Sequence, residues 1–235
     1  MWPDAGARVL PRSRLTNIVF DGNSLVSGIG ATALYGVTQT MPEQCRALLA
    51  GAFPNLIVRN LGIASQTVRM MRGLDGGSST DVDAAWMPTC QNILVVWEVT
   101  NSITTGGRKP AQACADLQDY ISGRRALHQD WKVVVVTTVP RQQPSLTQPQ
   151  LDTLNADLAV ANNLLLGNFR SYGADACVDL RCLGSPFRLP NYSTTSFNHD
   201  PSIWYEASGS RVHLANPGYG FVARRVAQSI LGLRS

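Results

Sequence analysis

A three-layer α/β/α domain around a mostly parallel, five-stranded sheet is the fold this sequence predicts, and three observations predict it. Five short apolar runs recur along the chain, helix-patterned stretches separate them, and the runs are continuously apolar instead of alternating with polar residues. Continuous runs suit strands covered on both faces, and strand–helix alternation suits parallel crossover connections.

The elements follow in order. Residues 17–20, "NIVF", are β-branched and aromatic, and Asp21, Gly22, Asn23 and Ser24 after them are turn formers, so Ser24 is expected in a loop just past a strand end. Thr40 and Glu43 have capping-box spacing with Pro42 in the first turn. They predict a helix that places Cys45, Leu48, Leu49 and Phe53 near one face. The second and third runs, residues 55–63 and 92–99, read as strands. A helix is expected over residues 109–130, with Ala113, Leu117, Tyr120, Ile121 and Leu127 at its apolar positions. The fourth run, residues 132–139, precedes a loop over residues 140–150, "PRQQPSLTQPQ". A helix over residues 151–169, a short strand over residues 176–180 and a last helix after Pro217 and Gly218 complete the order.

Composition narrows the function classes. With 235 residues, 44% hydrophobic and 15% charged, one domain spanning residues 1–235 is expected, residues 1–16 forming an irregular extension. The apolar runs are strand-sized, too short to span a bilayer. A net charge of +4 is mild, and the basic pairs Arg124-Arg125 and Arg224-Arg225 fall in helical stretches, which argues against nucleic acid as a partner. The opening "MWPDAGARVLPRSR" lacks the apolar core of a secretory signal, an opening compatible with a cytoplasmic chain or a processed secreted one. Five cysteines without CxxC spacing indicate neither a disulfide framework nor a zinc site.

In open parallel sheets ligands bind beyond the carboxyl ends of the strands. Ser24, Ser65 and Asn101 follow the first, second and third runs, so all three fall at that edge, and His213 reaches it from the long final loop. Individually each has a plainer reading. A serine after a strand is ordinarily a turn residue, an asparagine there caps the next segment, and a lone histidine is ordinarily structural. His128 and His199 have no matching partner set, and Asp81 and Asp83 are expected as acids complementing a helix dipole rather than as metal ligands.

Together, four ordered blocks resemble the SGNH hydrolases, the superfamily of GDSL-type esterases and lipases. "FDGNSL" resembles the first block, "RNLGIASQT" the second, "VVWEVTNS" the third and "VHLANPGYGFVA" the last. The resemblance implies a flavodoxin-like α/β/α fold and no cofactor, with Ser24 as nucleophile and His213 as general base. It also implies an oxyanion hole of Ser24 N–H, Ser65 N–H and the Asn101 side chain. The chemistry suits these types: a neutral hydroxyl needs an imidazole to take its proton, and a tetrahedral intermediate needs N–H donors aimed at its oxygen.

Three positions depart from the family pattern. Asn23 replaces an aspartate before the nucleophile. Ser65 stands where the oxyanion glycine is usual, with Gly62 three residues earlier. Ser210 stands where an aspartate usually precedes the histidine by three. The last departure implies a Ser–His dyad whose outward imidazole N–H donates to a main-chain carbonyl between Asp200 and Arg211. Asp200 and Glu206 are the alternative acids. The expected function is a serine esterase for short, acetyl-type esters of a polar or carbohydrate substrate. A lipase or thioesterase of the same fold, or a non-catalytic binding module, is the alternative.

Overall fold

The computed structural model describes residues 15–76, 82–143, 145–187, 203–205 and 212–233. Five strands, β1 (Thr16–Gly22), β4 (Leu56–Asn60), β5 (Gln91–Trp97), β6 (Lys132–Val136) and β7 (Ala176–Val178), form one sheet in the order β4-β1-β5-β6-β7. Every pairing in it is parallel. All five are the predicted runs.

Alternation within these apolar strands divides the core in two. Ile18, Phe20, Ile93, Val95, Trp97, Val134 and Val136 face one side, where α2 (Met41–Leu49) and α7 (Asn216–Gly232) pack. Val19, Leu94, Val96, Val133 and Val135 face the other, against α3 (Val68–Met71), α5 (Pro110–Leu127) and α6 (Gln148–Asn168). Each fully buried side chain of this size contributes about 1.5–3 kcal/mol. Both faces are covered, which is why the strand runs carry no polar alternation.

Several local expectations are corrected. Ser24 does not sit in a loop: it opens the one-turn helix α1 (Ser24–Ser27), capped by the Asn23 side chain, which accepts a hydrogen bond from Leu25 N. A hairpin absent from the sequence reading, β2 (Ala33–Leu34) with β3 (Val37–Thr38), follows. Its turn residues Tyr35 and Gly36 both have positive φ, as a two-residue hairpin of this hand requires. Thr40 caps α2, but the Glu43 carboxylate pairs with Arg46 at 2.9 Å. Leu48 and Leu127 are exposed despite their apolar periodicity. α6 begins at Gln148, inside the expected loop, where Thr147 and Gln150 form a capping box. Asp83 lies in a turn, not a helix start, and pairs with Arg124, while Asp81 is outside the described residues. His128 ends α5 and stacks on Trp86 at 4.3 Å. All five cysteines are free. No helix among the described residues is long and apolar enough to cross a membrane.

Candidate active site

Sheet order places the site. The chain turns in opposite directions after β1 and after the strand beside it, β5, so a crevice opens between their carboxyl ends. The ladder pairs Gly22 with Trp97, which leaves Asn23 and Ser24 facing Glu98 and α4 (Thr100–Thr104) just beyond it. Ser24 and Asn101 are both buried there.

His213 arrives from the far end of the chain, 189 residues after Ser24, and its Nε2 lies 2.9 Å from Ser24 Oγ. A short antiparallel clamp fixes it: Tyr205 N donates to His213 O, Ala215 N donates to Ile203 O, and Trp204 bridges Leu214. The same segment is tied to the chain that follows Ser24. Asn216 Oδ1 accepts from Thr32 N at 2.9 Å, and Tyr219 Oη donates to Ile29 O at 2.6 Å. Burial, followed by the positive charge of Arg141, holds the His213 pKa below its ordinary value.

The segment after β4 is pressed against the Ser24 turn. Ile63 N donates to Gly22 O, and Asn60 Nδ2 donates to Val26 O. A Cβ at Gly62 would lie 2.4 Å from Ser27 N and 2.8 Å from the Val26 carbonyl carbon, so only glycine fits there. Ser65 is not a glycine, yet its φ is +64°, in the left-handed region where glycine is usual. That conformation costs a non-glycine residue roughly 1–2 kcal/mol. Ser65→Gly is therefore expected to keep turnover and stabilise the protein by about 1 kcal/mol in urea denaturation, after glycine's greater unfolded-state freedom is subtracted. A destabilised variant would show that the serine hydroxyl holds this turn.

Asn101 Nδ2 donates one N–H to Gln66 O at 3.2 Å, and its Oδ1 accepts from Arg141 Nη1 at 3.3 Å. Arg141 also donates to Thr104 Oγ1 and makes no carboxylate ion pair among the described residues. Thus Ser24, His213, Ser65 and Asn101 gather at one edge. Asp200, Glu206, Ser210 and His199 lie outside the described residues, as does the loop expected to hold the imidazole apart from residues 203–205. His213 Nδ1 is buried and without a hydrogen-bond partner among the described residues.

Two site residues escaped the sequence reading. Glu98 is the one carboxylate in the apolar run of residues 92–99, and its place at a strand's carboxyl end was the available signal. Arg141 sits just past β6 at the same edge, inside a stretch read only as a loop.

No family model matches the chain, and no curated protein matches it. Solved structures do. A protein assigned to the SGNH hydrolases, from Slackia heliotrinireducens, is 16% identical with a TM-score of 0.57, covering 92% of this chain and 99% of its own. Est24, a carbohydrate acetylesterase from Sinorhizobium meliloti, is 13% identical with a TM-score of 0.63, covering 93% and 99%. A lipase/acylhydrolase from Enterococcus faecalis is 14% identical with a TM-score of 0.58, covering 93% and 96%. With its five parallel strands in this order and helices on both faces, the chain has the fold of the SGNH hydrolases.

Proposed function

We propose that the protein is a cofactor-independent serine esterase acting on short acyl esters, acetyl foremost, of a polar or carbohydrate alcohol. The observation that carries this reading is the 2.9 Å approach of His213 Nε2 to Ser24 Oγ at the carboxyl edge of the sheet. His213 takes the Ser24 proton as Oγ attacks the ester carbonyl. The resulting oxyanion meets Ser24 N–H, Ser65 N–H and the second N–H of Asn101 Nδ2. Collapse expels the alcohol, protonated by His213, and a water activated by the same imidazole releases the acid and restores the serine. The likeness to Est24 supports acetyl as the acyl group.

A fluorophosphonate probe tests the reaction class, since forming a Ser24 Oγ–P bond with loss of fluoride needs the activated hydroxyl. Labelling at Ser24, with fastest turnover on acetyl and butyryl p-nitrophenyl esters, is expected. An unlabelled protein would be the non-catalytic module instead. One observation favours a longer acyl chain: Leu34, Tyr35 and Val37 stand exposed on the hairpin that leaves α1, with Tyr35 96% exposed. Best turnover on decanoyl or longer esters would establish that second reading.

The pH profile carries its own sign. An imidazole is a base only when neutral, so a His213 pKa held low moves the acidic limb of kcat/KM below that of a free imidazole. Arg141→Met removes the second of its two causes, and the limb is expected to move to higher pH. The plateau should fall roughly tenfold as the charged hydrogen bond to Asn101 is lost. A limb that stays in place would detach Arg141 from His213.

A further inference from the structure

Glu98 is 2% exposed, lies just past β5 and takes no part in the reaction as described. Four donors converge on its carboxylate. Oε2 accepts from Asn23 Nδ2 at 2.9 Å and from Asn101 N at 3.0 Å; Oε1 accepts from Ser102 N at 2.8 Å and from Ser102 Oγ at 2.9 Å. The same Ser102 Oγ accepts from Val68 N at 3.1 Å, three residues after Ser65. One carboxylate therefore joins the turn before the nucleophile, the Asn101 helix and the segment following Ser65.

The donor set favours a charged carboxylate. Two of the four are main-chain N–H groups, which can only donate, and the Asn23 amide is oriented because its Oδ1 is occupied by Leu25 N. A proton on Oε2 would face two groups that only donate, and one on Oε1 would need the Ser102 hydroxyl, already accepting from Val68 N, to accept a second time, so the donor set favours an ionised carboxylate. Burial is the larger influence and holds the pKa above its ordinary value, against the downward pull of all four hydrogen bonds. Across Asn101, burial lowers the Arg141 pKa and the negative charge of Glu98 opposes that shift.

We propose that ionised Glu98 is the positioning residue of the esterase site, setting Ser24, Asn101 and the Ser65 segment relative to one another, and that Asn23 is asparagine because Glu98 requires a donor there. An aspartate at position 23 could still cap α1, but it would set two carboxylates face to face at the 2.9 Å contact. The proposal rests on the esterase reading, and fluorophosphonate labelling of the unaltered protein tests that reading separately.

The experiment is a charge exchange: Glu98→Gln, Asn23→Asp and the pair together, assayed with p-nitrophenyl acetate. Each single variant is expected to lose on the order of 10²-fold in kcat, with KM moving less than about threefold, because the groups are misplaced and not removed. In the pair, the carboxylate introduced at position 23 accepts from the amide introduced at position 98, and about tenfold of the loss should return. Asn23→Asp alone also has a signature in its melting temperature. Facing carboxylates raise a folded-state pKa above its unfolded value, so the deficit should be large at pH 8 and shrink towards pH 5. This reading holds even if Glu98→Gln does not fold. A kcat within threefold of the parent in either single variant, losses that simply multiply in the pair, or a melting deficit independent of pH would overturn the assignment. A parent left unlabelled by fluorophosphonate would remove the esterase reading and not the Asn23–Glu98 coupling seen in melting.

Discussion

Ser24→Ala is expected to lower kcat on p-nitrophenyl acetate by on the order of 10⁴-fold or more while leaving the melting temperature within a few degrees of the parent. In the proposed reaction the hydroxyl forms the acyl-enzyme, and its removal leaves only binding and the oxyanion donors. His213→Ala should cost a comparable factor, because without the imidazole the neutral hydroxyl is a weak nucleophile. The two groups act as one unit across a 2.9 Å contact, so the double variant should be little slower than either single one. Losses that multiply would mean that serine and histidine contribute independently, and the dyad would fall. Steady-state rates on three variants decide the matter.

Asn101→Ala is the second large effect. Its side chain is held between Gln66 O and Arg141, with one N–H remaining for an oxyanion. Loss of such a donor lowers kcat by about 10²–10³-fold, or roughly 2.7–4 kcal/mol of transition-state stabilisation. KM should change little, because on the proposed reading the donor meets charge that develops only after binding. Asn101→Asp should be slower still, since it sets a negative charge beside the forming oxyanion. An alanine variant with unaltered kcat and raised KM would make Asn101 a substrate-binding residue.

The sheet was legible because strands buried on both faces are written as unbroken apolar runs, whose signal is local. The β2–β3 hairpin was not, because its apolar side chains point to solvent and its turn is Tyr-Gly, not a standard Asn-Gly. Leu48 and Leu127 carried helical periodicity without burial, since periodicity marks a face and packing decides how far that face is covered. That Ser24, Asn101 and His213 meet at one edge of the sheet could be read from their order along the chain. Glu98 could not, because its role consists of contacts to a residue 75 positions earlier and to a helix that starts two residues later. Ser65 shows the same limit at the backbone, where a φ value and not the residue's identity answers the missing glycine.

The clamp that brings His213 to Ser24 ties function to the order in which the chain is made. A contact spanning 189 residues closes late, because loop-closure entropy must be met before it returns any energy, and here the closing parts are the His213 segment and the first turn of α7. On the ribosome, the five sheet strands are all synthesised before the histidine exists. On the proposed reading, a nascent chain can thus hold a complete sheet and still be chemically silent, its serine without a base until the His213 segment docks.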